Sequence, residues 1–201
     1  MLCQIPALMS KGFPVAVQFT EEEGEKSPFL YCELIQKARY GESFLIKSQG
    51  CSVGAYVLGE SEESPVEYYY QKNRYKDREA ATRSVSNLNR LKKKGTIRIA
   101  PYSGQDFDIL ILFLKPECTM RIVQASSYAH GNPVELKTGG IASICSDITA
   151  YPMQGMIGIS PGCKGSRKHS GYADEELIVG IPFRLADEIE EALLKIPRTF
   201  D

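Results

Sequence analysis

The feature that most restricts the fold is Ile109–Leu114, six consecutive apolar residues reading Ile-Leu-Ile-Leu-Phe-Leu. A helix crossing a bilayer takes about 20 apolar residues, so this run is far too short for that. It has the length of a strand. Because successive side chains point to opposite faces, a strand apolar at every position needs a sheet covered on both sides. The chain supplies other strands around it: Pro14–Phe19, Ser43–Lys47, Thr96–Ala100, Met156–Ile159 and Glu175–Pro182 carry β-branched or alternating apolar residues.

Helical segments alternate with these strands. Ser27 and Pro28 form a capping residue and a first-turn proline for a helix through Cys32 and Ile35 to Arg39, with Gly41 as its stop. Helical spacing puts Phe29, Cys32, Ile35 and Gln36 on one face, so Cys32 points inward. Asp77–Lys94 repeats Ala80, Ala81, Val85, Leu88 and Leu91 as an apolar stripe. Thr119 caps a helix, Gly139–Tyr151 contains one bearing Cys145, and a last helix carries Leu185, Ile189, Ala192, Leu193 and Ile196. Glu21–Lys26 reads as an acidic loop and Pro133–Lys137 as a short extended piece. The expectation is an α/β (or α+β) fold, a single compact domain over residues 1–201 around a mixed sheet.

Composition narrows the function classes. With 43% hydrophobic and 24% charged residues the chain is globular and not disordered. A formal net charge of -1 argues against a nucleic-acid binder. The run from Arg90 to Lys94 reads as the solvated, dipole-compatible end of a helix. The cluster Tyr68, Tyr69, Tyr70 and Tyr75 reads as packing at a helix start. Met1–Val17 lacks the basic opening and apolar centre of a secretory signal, and no segment is a membrane span. The expected location is cytoplasmic, where six cysteines are reduced thiols or metal ligands and not disulfides.

Chemistry concentrates in Pro161–Gly171, where a thiol, the cations Lys164, Arg167 and Lys168, His169 and several glycines fall between two strands. An earlier stretch, Gln49–Tyr56, echoes it. Eighteen residues separate Cys32 from Cys51, and seventeen separate Cys145 from Cys163. Each half thus runs strand, cysteine-bearing helix, glycine, strand, Gly-Cys. This order suggests two similar halves, about 11–60 and 106–182, with a helical insertion at about 61–94.

These residues carry a family likeness. Pro14–Val17, Cys32, Ala38–Gly41, Cys51, Gly54-Ala55 and Leu58-Gly59 resemble the first half of the DUF169 proteins. Cys145, Gly162–Arg167, Asp174–Leu177 and Gly180–Pro182 resemble the second. The family occurs largely in archaea and anaerobic bacteria, and the resemblance implies no mechanism. Ser61–Lys94 matches least, and Cys3 and Cys118 lie outside the pattern.

Several readings follow. Cys32, Cys51, Cys145 and Cys163 are a candidate thiolate set for an iron–sulfur cluster, or for zinc, in a redox or assembly role with an electron-transfer partner. Neither pair has chelate spacing, so only the fold can assemble such a site. Buried inert cysteines are the plainer alternative. Another is a cysteine-dependent enzyme, with Cys163 as nucleophile and His169 as acid or base. The third is a module binding a small anionic ligand through Gly162, Lys164, Gly165 and Arg167, with Arg39 and Lys47 from the other half. No Walker loop, dinucleotide fingerprint or hydrolase elbow is present.

Overall fold

The computed structural model describes residues 1–92 and 95–197. Seven strands form one sheet: β1 (Val15–Thr20), β2 (Glu25–Lys26), β3 (Phe44–Ser48), β4 (Thr96–Pro101), β5 (Ile109–Leu114), β6 (Gly158–Ser160) and β7 (Leu177–Pro182). Their order is β2-β3-β4-β1-β5-β7-β6. All neighbours run antiparallel except β2 and β3, so the sheet is mixed and the α/β expectation holds for a single domain.

The apolar run behaves as its pattern demands. All six residues of β5 are buried. Ile109, Ile111 and Phe113 enter the core on one face, while Leu110, Leu112 and Leu114 enter the core on the other. The second face is closed by α1 (Gln4–Ala7), α6 (Pro116–His130) and α8 (Phe183–Lys195), whose Ile5, Ile122 and Ile189 reach the leucines. Glu190 on α8 accepts the backbone N–H groups of Cys3 (2.5 Å), Gln4 (2.5 Å) and Ile5 (2.8 Å), and so caps α1.

The first face carries α2 (Tyr31–Arg39), α3 (Ser52–Val57), α4 (Val66–Gln71), α5 (Arg78–Ser86), a π-helix at Ser143–Ala150 and α7 (Lys164–Ser170). The π-helix lies directly on the sheet. A Cβ at Gly158 would overlap the Asp147 carbonyl oxygen, and one at Gly180 would overlap that of Ile148. These glycines are paired across β6 and β7, which makes the flat landing that the π-helix needs.

The halves share a topology about the central β1–β5 pair. The order β3-β4-β1 on one side corresponds to β6-β7-β5 on the other. In sequence the two sides agree only in part: α6 stands between β5 and the π-helix with no counterpart after β1, and β2, α4 and α5 have none on the other side. The third strand of the first unit, β4, lies beyond residue 60, where the sequence pattern ended that half. Helices α4 and α5 fall within the expected insertion.

Several local expectations change, most of them where a tertiary contact outweighs a local signal. Helix α2 starts at Tyr31 and not at Pro28, because Ser27 N–H is held by the Ser48 carbonyl (2.9 Å) and the Phe29 carbonyl by Gly50 N–H (2.9 Å), and Leu30 stays extended; the Leu30 N–H is then capped by Glu33 at 2.8 Å. Helix α5 begins after Asp77, which caps Ala80 N–H at 2.7 Å, but it ends at Ser86. Beyond it Asn89 N–H turns to Ser146 Oγ (3.0 Å) and Leu91 N–H to the Val57 carbonyl (2.9 Å), tying this segment to α3 and the π-helix. Arg90 is no solvated helix end: it donates to the Tyr56 and Ser61 carbonyls at 2.8 and 3.0 Å. Lys93 and Lys94 lie outside the described residues. Thr119 sits within α6, which starts at Pro116, and Pro133–Lys137 forms no strand.

Candidate functional site

Cys51 and Cys163 hold the same local position. Each is the residue before a short helix, and each sulfur accepts the N–H three residues on, Gly54 N–H at 3.4 Å for Cys51 and Ser166 N–H at 3.3 Å for Cys163. The stretch Gly162–Gly171, expected as a loop, is therefore mostly helix, with Cys163 in the capping place that usually goes to serine or aspartate. Cys32 is on the first turn of α2, and Cys145 is on the π-helix. A helical stretch this wide is rare and collects at functional sites. It is entered through Ala142, a non-glycine residue at φ 50°.

All four of these cysteines line one cleft of about 290 Å³. Its floor comes from the π-helix, where Ser143 and Ile144 are buried, and its rim bears the exposed Tyr68, Arg74 and Lys164. Ser170 Oγ donates to the Cys32 carbonyl at 2.9 Å and so docks α7 on the start of α2. Among the described residues, no group of three or more His, Cys, Asp or Glu is drawn together closely enough to hold a metal ion. Cys3 and Cys118 are elsewhere, Cys3 exposed and Cys118 against the opposite core.

The thiols differ electrostatically. Burial pushes Cys32 up to about 12, and the neighbouring Cys51 and Cys163 add to the effect. Burial also drives Cys145 well above the ordinary thiol range, with Cys51, Cys32 and Cys163 contributing. Burial acts on Cys163 too, yet it lies below its usual value. The Ser143 N–H, the Ser166 hydroxyl and N–H and the Ser143 hydroxyl all favour its thiolate. Tyr69 is raised by burial and then by Cys163, Cys145 and Cys51, so its phenol belongs to the same cluster. Beneath Cys163, Asp147 is raised by burial to about 6 while it accepts from Thr138 (2.7 Å) and Ser160 (2.8 Å). The buried Ser143 hydroxyl lies near enough to Cys163 and Asp147 to favour their charged forms, but completes a hydrogen bond with neither.

The cations expected at the site divide. Lys164, Gly165 and His169 line the cleft, and His169 Nδ1 stands 3.4 Å from Glu33 Oε1. Arg39 does not reach it. Its guanidinium is buried against Glu176, at 3.0 and 2.5 Å, and lies 4.4 Å from the centre of the Phe113 ring. Arg167 is also spent on structure. It donates to the carbonyls of Pro161 (2.7 and 3.0 Å), Ala173 (3.3 Å) and Glu176 (3.3 Å), and it covers the Tyr172 ring. Gly162 turns the chain at φ 89°, where a Cβ would overlap the Tyr172 hydroxyl, so its role is steric. Lys47 lies on β3 beside the acidic segment Glu21–Glu23.

Sequence reasoning missed Arg74, Ser143 and Gln49. Gln49 accepts from Cys51 N–H (2.7 Å) and Tyr31 N–H (3.3 Å) and donates to the Cys51 carbonyl (2.8 Å), which fixes the Cys51 turn. Its place two residues before Cys51 was a usable signal, because side-chain amides commonly close such turns. Arg74 and Ser143 carried none.

Fold and site together define an α/β domain with a cysteine-walled cleft between its topologically matched halves. The chain belongs to the DUF169 family, described as uncharacterised ArCR, whose profile matches residues 6–192. It is similar to the uncharacterized protein MJ0308 of Methanocaldococcus jannaschii, with 30% identity over 175 residues, 81% of this chain and 75% of that protein. No solved structure matches.

Proposed function

We propose that this protein holds a thiolate-ligated metal centre, an iron–sulfur cluster in preference to zinc, and serves redox or assembly chemistry in the cytoplasm. The observation that carries this reading is the gathering of Cys32, Cys51, Cys145 and Cys163, from four separate segments, onto one cleft. Burial and the neighbouring sulfurs hold Cys32 and Cys145 as neutral thiols, and a cation among them reverses that penalty. A single tetrahedral zinc at about 2.3 Å from each sulfur would set the sulfurs about 3.8 Å apart. Among the described residues no three His, Cys, Asp or Glu side chains stand close enough together to hold a metal ion, so the four thiols would have to draw together on loading. No helix among the described residues is long and apolar enough to cross a membrane.

The test is anaerobic purification with iron, sulfide and zinc analysis and a visible spectrum. Brown protein carrying iron and sulfide, lost on Cys145→Ala, supports the cluster. Zinc alone replaces it with a structural site. Colourless, metal-free protein that takes up neither on reconstitution removes the reading.

A second reading rests on the lowered pKa of Cys163 and its set of donors: a metal-free reactive thiol, with His169 across the rim as acid or base. Selective alkylation of Cys163 in protein that never carries metal would favour it.

A further inference from the structure

The described arginines are almost all engaged. Arg39, Arg90, Arg121, Arg167 and Arg184 hold carboxylates or carbonyls, and Arg78, Arg83 and Arg98 pair with Glu67, Glu79 and Glu22. Arg74 is different: among the described residues it has neither an ion pair nor a side-chain hydrogen bond, and it lines the cysteine cleft. Lys164, likewise without a partner among the described residues, lines the same cleft from α7. Arg74 is delivered by a tight reversal after α4, where Asn73 adopts φ 50° and the Arg74 N–H closes on the Tyr69 carbonyl at 3.0 Å. Both stand on the rim of one cleft without a protein counter-charge, so an anion entering it meets positive charge from two segments.

Two further features point to what the anion is attached to. The lining is mainly apolar, with the Tyr68 ring 47% exposed at the rim. At about 290 Å³ the cleft has room for about ten water-sized groups, the scale of a small metabolite and not of a nucleotide.

We infer that the cleft binds a small organic anion, its charged head between Arg74 and Lys164 and its apolar body directed past Tyr68 toward the thiols. The inference names a ligand class for the site of the proposed metal centre, and it rests on that reading only in what occupies the floor.

Calorimetric titration with benzoate, benzyl alcohol and inorganic phosphate tests it, on protein purified anaerobically with its iron content measured in parallel. Benzoate should bind saturably and at least about tenfold tighter than the neutral alcohol, and phosphate, which lacks an apolar body, more weakly than benzoate. The double variant Arg74→Ala/Lys164→Ala should weaken benzoate at least about tenfold and leave benzyl alcohol, thermal stability and iron content unchanged. Both positions are exposed, so the variant keeps its fold. Equal binding of benzoate and benzyl alcohol, an unaffected double variant, or no saturable benzoate binding up to about 10 mM overturns the inference. Iron present with failed anion binding sinks this inference alone. Anion binding in protein that takes up neither iron nor zinc on reconstitution sinks the metal reading alone.

Discussion

The corners at Cys51 and Cys163 occupy matching places in the two halves, and each sulfur caps its helix through one N–H, at 3.4 and 3.3 Å. They differ in what else serves the turn. At the first corner the Gln49 amide takes up the Cys51 N–H and carbonyl, so the turn is locked by a side chain that leaves the sulfur aside. At the second, Ser166 Oγ takes the Cys163 N–H at 2.9 Å, and donors from Ser166 and Ser143 act on the sulfur itself. Topology puts both thiols at the cleft. The donors supplied at the second corner determine that Cys163 ionises below its usual range.

The largest effect comes from cutting what fixes one corner against the other. Arg39 at the end of α2 and Glu176 before β7 form an ion pair buried to 1% and 6% side-chain exposure. Glu176 is lowered in the face of burial by Arg39 and the Ala173 N–H. Arg39→Ala should cost about 3–5 kcal/mol, because it strands a buried carboxylate. Urea denaturation measures it; a loss below about 1 kcal/mol would mean that other contacts join the halves.

Alkylation sharpens the contrast among the thiols next. In metal-free protein at neutral pH, Cys163 should be modified at least about a hundredfold faster than Cys32 or Cys145, since reaction follows the thiolate fraction. Peptide mass spectrometry with iodoacetamide resolves the order, and first labelling of Cys145 would contradict it. The same shifts set a pH dependence. The Cys32 thiol is raised when folded, so unfolding releases its proton first. Its contribution is therefore complete below the ordinary thiol value of about 9 and declines as pH rises from there to about 12. Cys163 has the opposite sign. Its lowered pKa adds stability above the ordinary value, and that part is lost as pH falls through the folded value. Cys32→Ser should flatten the alkaline decline.

A smaller effect isolates the second corner. Arg167→Ala removes hydrogen bonds to three carbonyls and should cost about 2 kcal/mol, with faster or slower labelling at Cys163 but no change at Cys51. Equal changes at both cysteines would show that the corners are not independent.

The smallest is the cap. Ser166→Ala should cost about 1 kcal/mol and slow Cys163 alkylation, because both the N–H partner and a donor to the thiolate are lost. An unchanged alkylation rate would assign the lowered pKa to Ser143 and the Ser166 N–H.

Much of the fold was legible locally. The uninterrupted apolar β5 has only one physical solution, a strand buried on both faces, and the amphipathic α8, with α6, closes one of them. Cys32, Cys51, Cys145 and Cys163 stood out because Gly-Cys recurs at matched intervals after another cysteine, but the helices that follow Cys51 and Cys163 were not read from the sequence. Helix ends were less so. Asn89 and Leu91 leave the helical pattern for partners on the π-helix and α3, and no propensity within Asp77–Lys94 encodes those partners.

What the sequence determined by itself is whatever depends on neighbours within a few residues: the strand faces, the glycine stop after α2 and the apolar stripe of α8. Only the tertiary structure decided which cations face the cleft. Arg39 and Arg167 stood in the motifs and Arg74 did not, yet Arg39 meets Glu176 across 137 positions, Arg167 is consumed by carbonyls, and Arg74 reaches the cleft. A guanidinium binds whatever carboxylate or carbonyl the closed chain brings within about 3 Å, and that is set by how distant segments pack and not by the residues on either side.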